Sequence, residues 1–222
     1  MHRHFRCREQ NSPVRLIGLS VVQKGCEMAR DVWDNLLEEL RRAFEQNDAL
    51  RGFSTFPDDV VAQDVASFQV PCADVLARES KLISETYSGL RDAILAAGPY
   101  AMWRETYKGT DIGQDFLDRF GCYAVIGTGG AFISEKLWAF IVHMPKGLYY
   151  PHHHHPAEEM YCVLAGEAEF MREGEANEIL REGDTSFHAS NQPHAMETHD
   201  KPVLCLVVWR NGFETPPVLT AD

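Results

Sequence analysis

Apolar positions along the chain change their period part-way. Trp33, Leu36, Leu37, Leu40 and Phe44 recur at three- and four-residue spacing, with Glu38, Glu39, Arg41 and Arg42 between them. That pattern predicts a helix with one apolar face. Asp31 is placed to cap its start, and the end falls near Asn47 to Gly52. The residues before about position 27 read as irregular. A second helical pattern runs from about Asp74 to Ala97, with Ile83, Tyr87, Leu90 and Ile94 on one face and Gly98-Pro99 as its stop. A third, short one covers Gln114 to Arg119.

After Gly121 the texture shifts to short runs rich in β-branched and aromatic residues, separated by turn residues. The predicted strands are Cys122–Ile126, Leu137–His143, Glu159–Leu164, Ala168–Arg172, Asn177–Leu180, Thr185–Phe187, His194–Thr198 and Val203–Trp209. So many short strands within about ninety residues indicate a barrel or jelly roll rather than a parallel sheet with crossover helices. The expected organisation is mainly β. An N-terminal helical segment (1–119) packs on a β-barrel (120–222). Gly127-Thr128-Gly129-Gly130 has no lysine or helix after it and reads as a hairpin rather than a phosphate cradle.

Composition narrows the function classes. Apolar residues make up 45% and charged residues 24%, enough for a packed core. There are 33 acidic against 21 basic residues, a net charge of −12, with no basic stripe, so a nucleic-acid partner is not expected. The balance suits a cationic or zwitterionic small molecule without requiring one. Cys7, Cys26, Cys72, Cys122, Cys162 and Cys205 are irregularly spaced and read as reduced thiols. The apolar stretch Val14 to Val22 is short and broken by Arg15, Gly18 and Ser20, so neither a signal peptide nor a membrane span is expected. The expected compartment is the cytoplasm, and the leading helices are expected either to cover one side of the barrel or to build a homodimer contact.

The chemistry lies between Gly147 and Tyr161. Four consecutive histidines, His152 to His155, sit mid-chain between strand patterns, so they are no purification tag. Residues two apart on a strand share a face, so His153 and His155 point one way and His152 and His154 the other. Glu159 and Tyr161 form a second such pair. Turned inward, the two pairs set two imidazoles, a carboxylate and a phenol around one point, a donor set suited to Zn²⁺, Fe²⁺, Mn²⁺ or Ni²⁺.

The segment resembles the cupin superfamily. Its first motif, G-x5-H-x-H-x3-E-x6-G, is matched from Gly147 through His153, His155 and Glu159 to Gly166. In the second, G-x5-P-x-G-x2-H-x3-N, Gly183 and His194 fit, while Ala189, Asn191 and Thr198 replace the preferred Pro, Gly and Asn. The resemblance covers roughly residues 120–215. It implies a cupin barrel holding one divalent metal ion on His153, His155, Glu159 and His194, with zinc favoured and manganese or iron as alternatives.

The run Tyr150-x2-His153-x-His155-x3-Glu159-x-Tyr161, followed by Gly166 and Trp209, is similar to the cupin-type dimethylsulfoniopropionate (DMSP) lyases of marine bacteria. The leading helices and the Trp-Arg-Glu-Thr-Tyr stretch at 103–107 fit the same group. This resemblance implies a metal-dependent β-elimination of a small zwitterion, with the metal holding the substrate carboxylate, giving dimethyl sulfide and acrylate. Tyr161 is the candidate base, with a metal ligand or a structural barrel tyrosine as its other readings. Tyr150, Trp209 and Tyr149, with Trp138 and Phe187 behind them, are the aromatic candidates for the sulfonium end. His143, His188 and His199 carry no clear signal. The rival readings are another metal cupin enzyme, such as an iron dioxygenase or a sugar isomerase, and a non-enzymatic small-ligand-binding cupin.

Overall fold

The computed structural model describes residues 13–221, with side chains described from residue 27 onward. Five helices come first: α1 (Pro13–Gln46), α2 (Asp48–Phe53), α3 (Pro71–Arg78), α4 (Ser88–Ala97) and α5 (Gln114–Arg119). A short strand β1 (Val61–Ala62) lies among them. Ten strands follow: β2 (Gly121–Ile126), β3 (Phe132–Ile133), β4 (Trp138–Met144), β5 (Leu148–His154), β6 (Glu158–Arg172), β7 (Glu178–Arg181), β8 (Thr185–His188), β9 (His194–Thr198), β10 (Val203–Arg210) and β11 (Val218–Leu219).

The strands form two facing sheets that share β6. Its first part pairs with β10 and β8, and its last part with β7 and β9. The first sheet continues from β10 through β4, β2 and β3 to β1, and the second from β9 through β5 to β11. The strand crosses between sheets at Gly166, where φ is +76° and a Cβ would overlap the Pro202 carbonyl oxygen. The β10 register slips at Leu204/Cys205, opposite the crossing. Glu159–Leu164 and Ala168–Arg172, expected as two strands, are therefore one bent strand.

The first sheet is apolar on both faces. Phe140, Val142, Val163 and Val207 point into the space between the sheets. Ile141, Leu164, Leu206 and Val208 point outward, where Trp33, Leu36, Leu40, Leu90 and Ile94 of α1 and α4 cover them. Buried polar groups fix that cover. Asn47 caps α2 through its side-chain oxygen and donates from Nδ2 to the Gly183 carbonyl at 3.1 Å and to Tyr87 Oη at 3.2 Å.

Three helical expectations change. Helix α1 starts by Pro13, so Asp31 lies mid-helix and is no cap, and residues 13–27 are helical rather than irregular. Residues 1–12 and the Cys7 thiol fall outside the described residues. The helix expected over 74–97 is broken into α3 and α4, and Ile83 between them is 73% exposed. The break has a tertiary cause. The Glu182 carboxylate, between β7 and β8, accepts from the backbone N–H groups of Glu85, Thr86 and Tyr87 and from the Ser84 hydroxyl. It supplies acceptors for donors that precede α4, which a continuous helix would have used internally. The Gly127–Gly130 segment is a tight turn, but it sends β3 alongside β2 in parallel, so no ordinary hairpin forms. Cys72, Cys122, Cys162 and Cys205 are free and buried. Among the described residues no helix is long and apolar enough to cross a membrane.

Gly166→Ala should lower stability by at least about 2 kcal/mol, the sum of left-handed backbone cost and overlap with Pro202. Gly174→Ala, at φ +85° with nothing near a new Cβ, should cost only about 1 kcal/mol. Urea denaturation of both proteins checks the difference; equal losses would remove the steric account of the crossing.

His143 gives a second expectation. Its β4 position alternates with the inward Val142 and Met144, its Cβ faces Gly121, and neither ring nitrogen has a hydrogen-bond partner. Burial pushes its pKa down to about 3. The unfolded chain therefore takes up this proton first, and stability is full above about pH 6.5 and falls as pH drops towards 3. His143→Leu should flatten that fall in acid denaturation curves, while an unchanged slope would assign it to other groups.

Candidate metal centre

Strand β5 carries His153 on the inner face of the second sheet. His155 follows just beyond its end, and β9 begins with His194 directly opposite His153. Glu159 comes from β6 of the first sheet. All four side chains are about 2% exposed. The ligand-type atoms of His153, His155 and His194 lie within 4.8 Å of one another, and those of Glu159, His188 and His194 form a second such group.

The backbone fixes which nitrogen faces the centre. His153 Nδ1 donates to the Pro151 carbonyl at 2.9 Å, His155 Nδ1 to Ala157 at 3.0 Å and His194 Nδ1 to Gln192 at 2.8 Å. A carbonyl can only accept, so each Nδ1 carries hydrogen and each Nε2 presents a lone pair. His155 Nε2 and His194 Nε2 have no hydrogen-bond partner. Yet His194 Nε2 sits 3.0 Å from Glu159 Oε2, and His155 Nε2 sits 3.5 Å from Oε1. Lone pairs this close repel unless a proton or a cation lies between them. The residues present thus fit a divalent metal ion, and the hydrogen-bonded far nitrogens are the support such ligands need.

Burial lowers the His155 pKa, but the Glu159 carboxylate outweighs it and leaves the group raised, so a proton on His155 Nε2 and a cation in the centre compete for one place. Burial works to raise the Glu159 pKa, but His155, His194 and the hydrogen bond from His188 overcome it and hold the carboxyl well below its usual range. Burial and the neighbouring His194 depress His153 strongly, leaving it neutral and a competent donor. His188 is held neutral by burial, at about 4. Two further groups orient Glu159. His188 Nδ1 donates to Oε2 at 2.7 Å, and the Trp209 indole N–H donates to Oε1 at 2.5 Å. His188 is in turn fixed by the Ser186 hydroxyl, 3.0 Å from its Nε2.

A small cavity opens beside the cluster. Tyr150, Tyr161, Trp209, Phe120, Phe140 and Arg104 are among its lining. Tyr150 stacks on His153 at 4.0 Å and shares a 3.0 Å hydroxyl contact with Tyr107. Tyr161 is buried, and burial followed by the Glu159 charge pushes its phenol well above the usual range.

A family model for dimethylsulfoniopropionate lyases matches residues 45–205. The chain belongs to the DMSP lyase family. It is 48% identical over 188 residues to the DMSP lyase DddQ of Ruegeria pomeroyi, spanning 85% of this chain and 94% of that one. The crystal structure of DddQ from R. pomeroyi DSS-3 superposes with a TM-score of 0.84 at 47% identity, over 86% of this chain and 96% of that one. A chain from the crystal structures of the DMSP lyases RdDddP and RnDddQII gives 0.83 at 36% identity, over 87% and 100%. The protein is an enzyme, a lyase. It has the cupin fold expected from its two motifs, with helices ahead of the strands.

Within this DMSP lyase family fold, His153, His155, Glu159, His194, Tyr150, Tyr161 and Trp209 come together. Tyr149 does not: it is 43% exposed on the opposite face of β5, with its hydroxyl 3.2 Å from His152 Nδ1. His154 also turns away, to Thr220. Trp138 packs on Phe213, and Phe187 lies at the surface against Phe53. Neither lines the cavity. His188 was not legible because the expected strand stopped at Phe187. One more residue of alternation places Ser186 and His188 inward, and the register sets His188 opposite Glu159. The departures in the second motif also have local reasons. Asn191 stands where Gly is preferred and adopts φ +60°, which Asn tolerates best after Gly. Thr198 replaces Asn, and its hydroxyl donates to Pro145 O at 2.6 Å and accepts from Leu148 N–H at 3.0 Å.

His188→Ala should weaken metal binding about ten- to hundredfold while the three facing imidazoles stay in place. Competition with a chromogenic chelator checks this. Unchanged affinity would reduce His188 to a packing residue.

Proposed function

We propose that this protein cleaves DMSP to dimethyl sulfide and acrylate by β-elimination, with His153, His155, Glu159 and His194 holding one divalent metal ion and Tyr161 acting as the base. The observation that carries the reading is the convergence of imidazole nitrogens, those of His155 and His194 without a hydrogen-bond partner, on the Glu159 carboxylate beside a buried aromatic cavity. The relatives named above are DMSP lyases over nearly their whole length.

DMSP carries a carboxylate at one end and a dimethylsulfonium at the other. Elimination removes a proton from the carbon beside the carboxylate, moves that electron pair into a new carbon–carbon double bond and expels dimethyl sulfide. Zinc, manganese or iron bound by this donor set would supply positive charge that stabilises negative charge growing towards the carboxylate and favours the Tyr161 phenolate. Tyr161 lines the cavity two residues beyond Glu159 on the same face of β6, which supports its assignment as the base. Burial opposes its ionisation, so the base form depends on positive charge nearby. Tyr150 and Trp209 present aromatic surface to the cationic end, an attraction of ~0.5–2 kcal/mol. Trp209 also orients Glu159 through its N–H, so it serves the ligand set and the cavity wall together. The apolar wall of Phe120, Phe140 and Val207 limits water at the reacting carbon.

Purified protein mixed with DMSP should release dimethyl sulfide, read by headspace gas chromatography, with or without oxygen. Tyr161→Phe should lower kcat at least about a hundredfold, the usual scale for loss of a general base, without releasing the metal. Release of metal together with activity would make Tyr161 a ligand first. Undiminished turnover would eliminate it as the base.

A further inference from the structure

Arg104 stands apart in its charge environment. Among the described residues, every other arginine from Arg30 onward has a carboxylate oxygen within 4.0 Å, whereas Arg104 has none. This is unexpected in a chain with 33 acidic and 21 basic residues, where a lone guanidinium finds a carboxylate easily. Arg104 is also the one Lys or Arg among the residues lining the cavity beside the histidine cluster.

Its placement is fixed rather than accidental. The Arg104 backbone N–H donates to the Cys122 carbonyl at 2.8 Å, tying it to the start of β2. The preceding Trp103 is buried, bridges to Tyr123 and donates its indole N–H to the Gly98 carbonyl at 2.9 Å. The guanidinium lies over the Phe140 ring at 5.2 Å, and Phe140 contacts Trp209 edge-on at 5.1 Å. An aromatic face already holding a cation is a poor place for a second one. The planar fork of N–H donors that remains is matched to a carboxylate.

We infer that Arg104 is a specificity-determining residue that binds the substrate carboxylate beside the proposed metal, leaving the sulfonium to Tyr150 and Trp209. The inference rests on the proposed function for the identity of the substrate, and on the geometry alone for the charge that Arg104 selects. It assigns each end of a zwitterion to a different wall of one cavity. A ligand lacking the carboxylate loses the Arg104 contact, and a ligand lacking the sulfonium keeps it.

The test uses the protein as purified, metal included, with propionate as a carboxylate without sulfonium and trimethylsulfonium as a cation without carboxylate. Calorimetric titration should show propionate binding weakened roughly ten- to hundredfold in Arg104→Met, partly restored in Arg104→Lys. Trimethylsulfonium binding should be unchanged or tighter. The KM for DMSP should rise by the same factor as the propionate Kd, with kcat moving less. Propionate affinity unchanged in Arg104→Met overturns the inference. So does an equal loss for both probes, which would mark Arg104 as merely structural. If the wild-type protein releases no dimethyl sulfide yet binds propionate through Arg104, the proposed function fails and the carboxylate assignment stands.

Discussion

The central constraint in this molecule is the crowding of lone pairs around one buried point. Each of three imidazoles is committed through its Nδ1 hydrogen to a backbone carbonyl. None can turn to donate inward, and the Glu159 carboxylate is locked among them by His188 and Trp209. Such an arrangement is favourable only with a proton or a cation among the lone pairs, and its donors fit a divalent metal ion. The carbonyls of Pro151, Ala157 and Gln192 lie in or next to the elements that carry the rings, so the centre depends on the register of β5 against β9 and on the path of β6.

That register is protected by how the first sheet is built. Both of its faces are apolar, and one must be covered by something other than the second sheet. Helices α1 and α4 supply the cover, tied down by Asn47 and by Glu182. The strand that carries Glu159 and Tyr161 is therefore packed on both sides. Second-sheet strand β5 carries polar histidines outward and needs no such cover. One face of the enzyme is thus a rigid layered wall, and the opposite sheet contributes the remaining imidazoles across the gap. The cavity lies where the two meet, with aromatic rings and a single guanidinium on its wall.

Much of the centre was legible before any coordinates because period-two alternation converts spacing into facing. His153 with His155, and Glu159 with Tyr161, had to share a side once their segments were read as strands. The same rule assigned His152 and His154 outward. It misplaced the tyrosines: alternation from His153 puts Tyr149 inward, but the β5 register slips between Tyr150 and His153, so Tyr150 turns in onto His153 and Tyr149 faces solvent. Legibility failed where a distant group decided the outcome. The single helix expected over 74–97 is broken because a carboxylate about a hundred residues later takes its amide hydrogens. The bend that makes two expected strands one depends on a glycine passing the Pro202 carbonyl. His188 matters only through the strand pairing that sets it opposite Glu159.

The chain by itself determined the donor types, their common face, the glycine positions that permit sharp turns and the aromatic character of the surrounding strands. These are properties of neighbours a few residues apart, and local geometry carries them. Only the tertiary structure decided which imidazole nitrogen faces the centre, which residues orient the carboxylate, and which arginine is left without a counter-charge. Those outcomes depend on groups far apart in sequence being brought within about 3 Å, the range over which a hydrogen bond or an ion pair is made or missed.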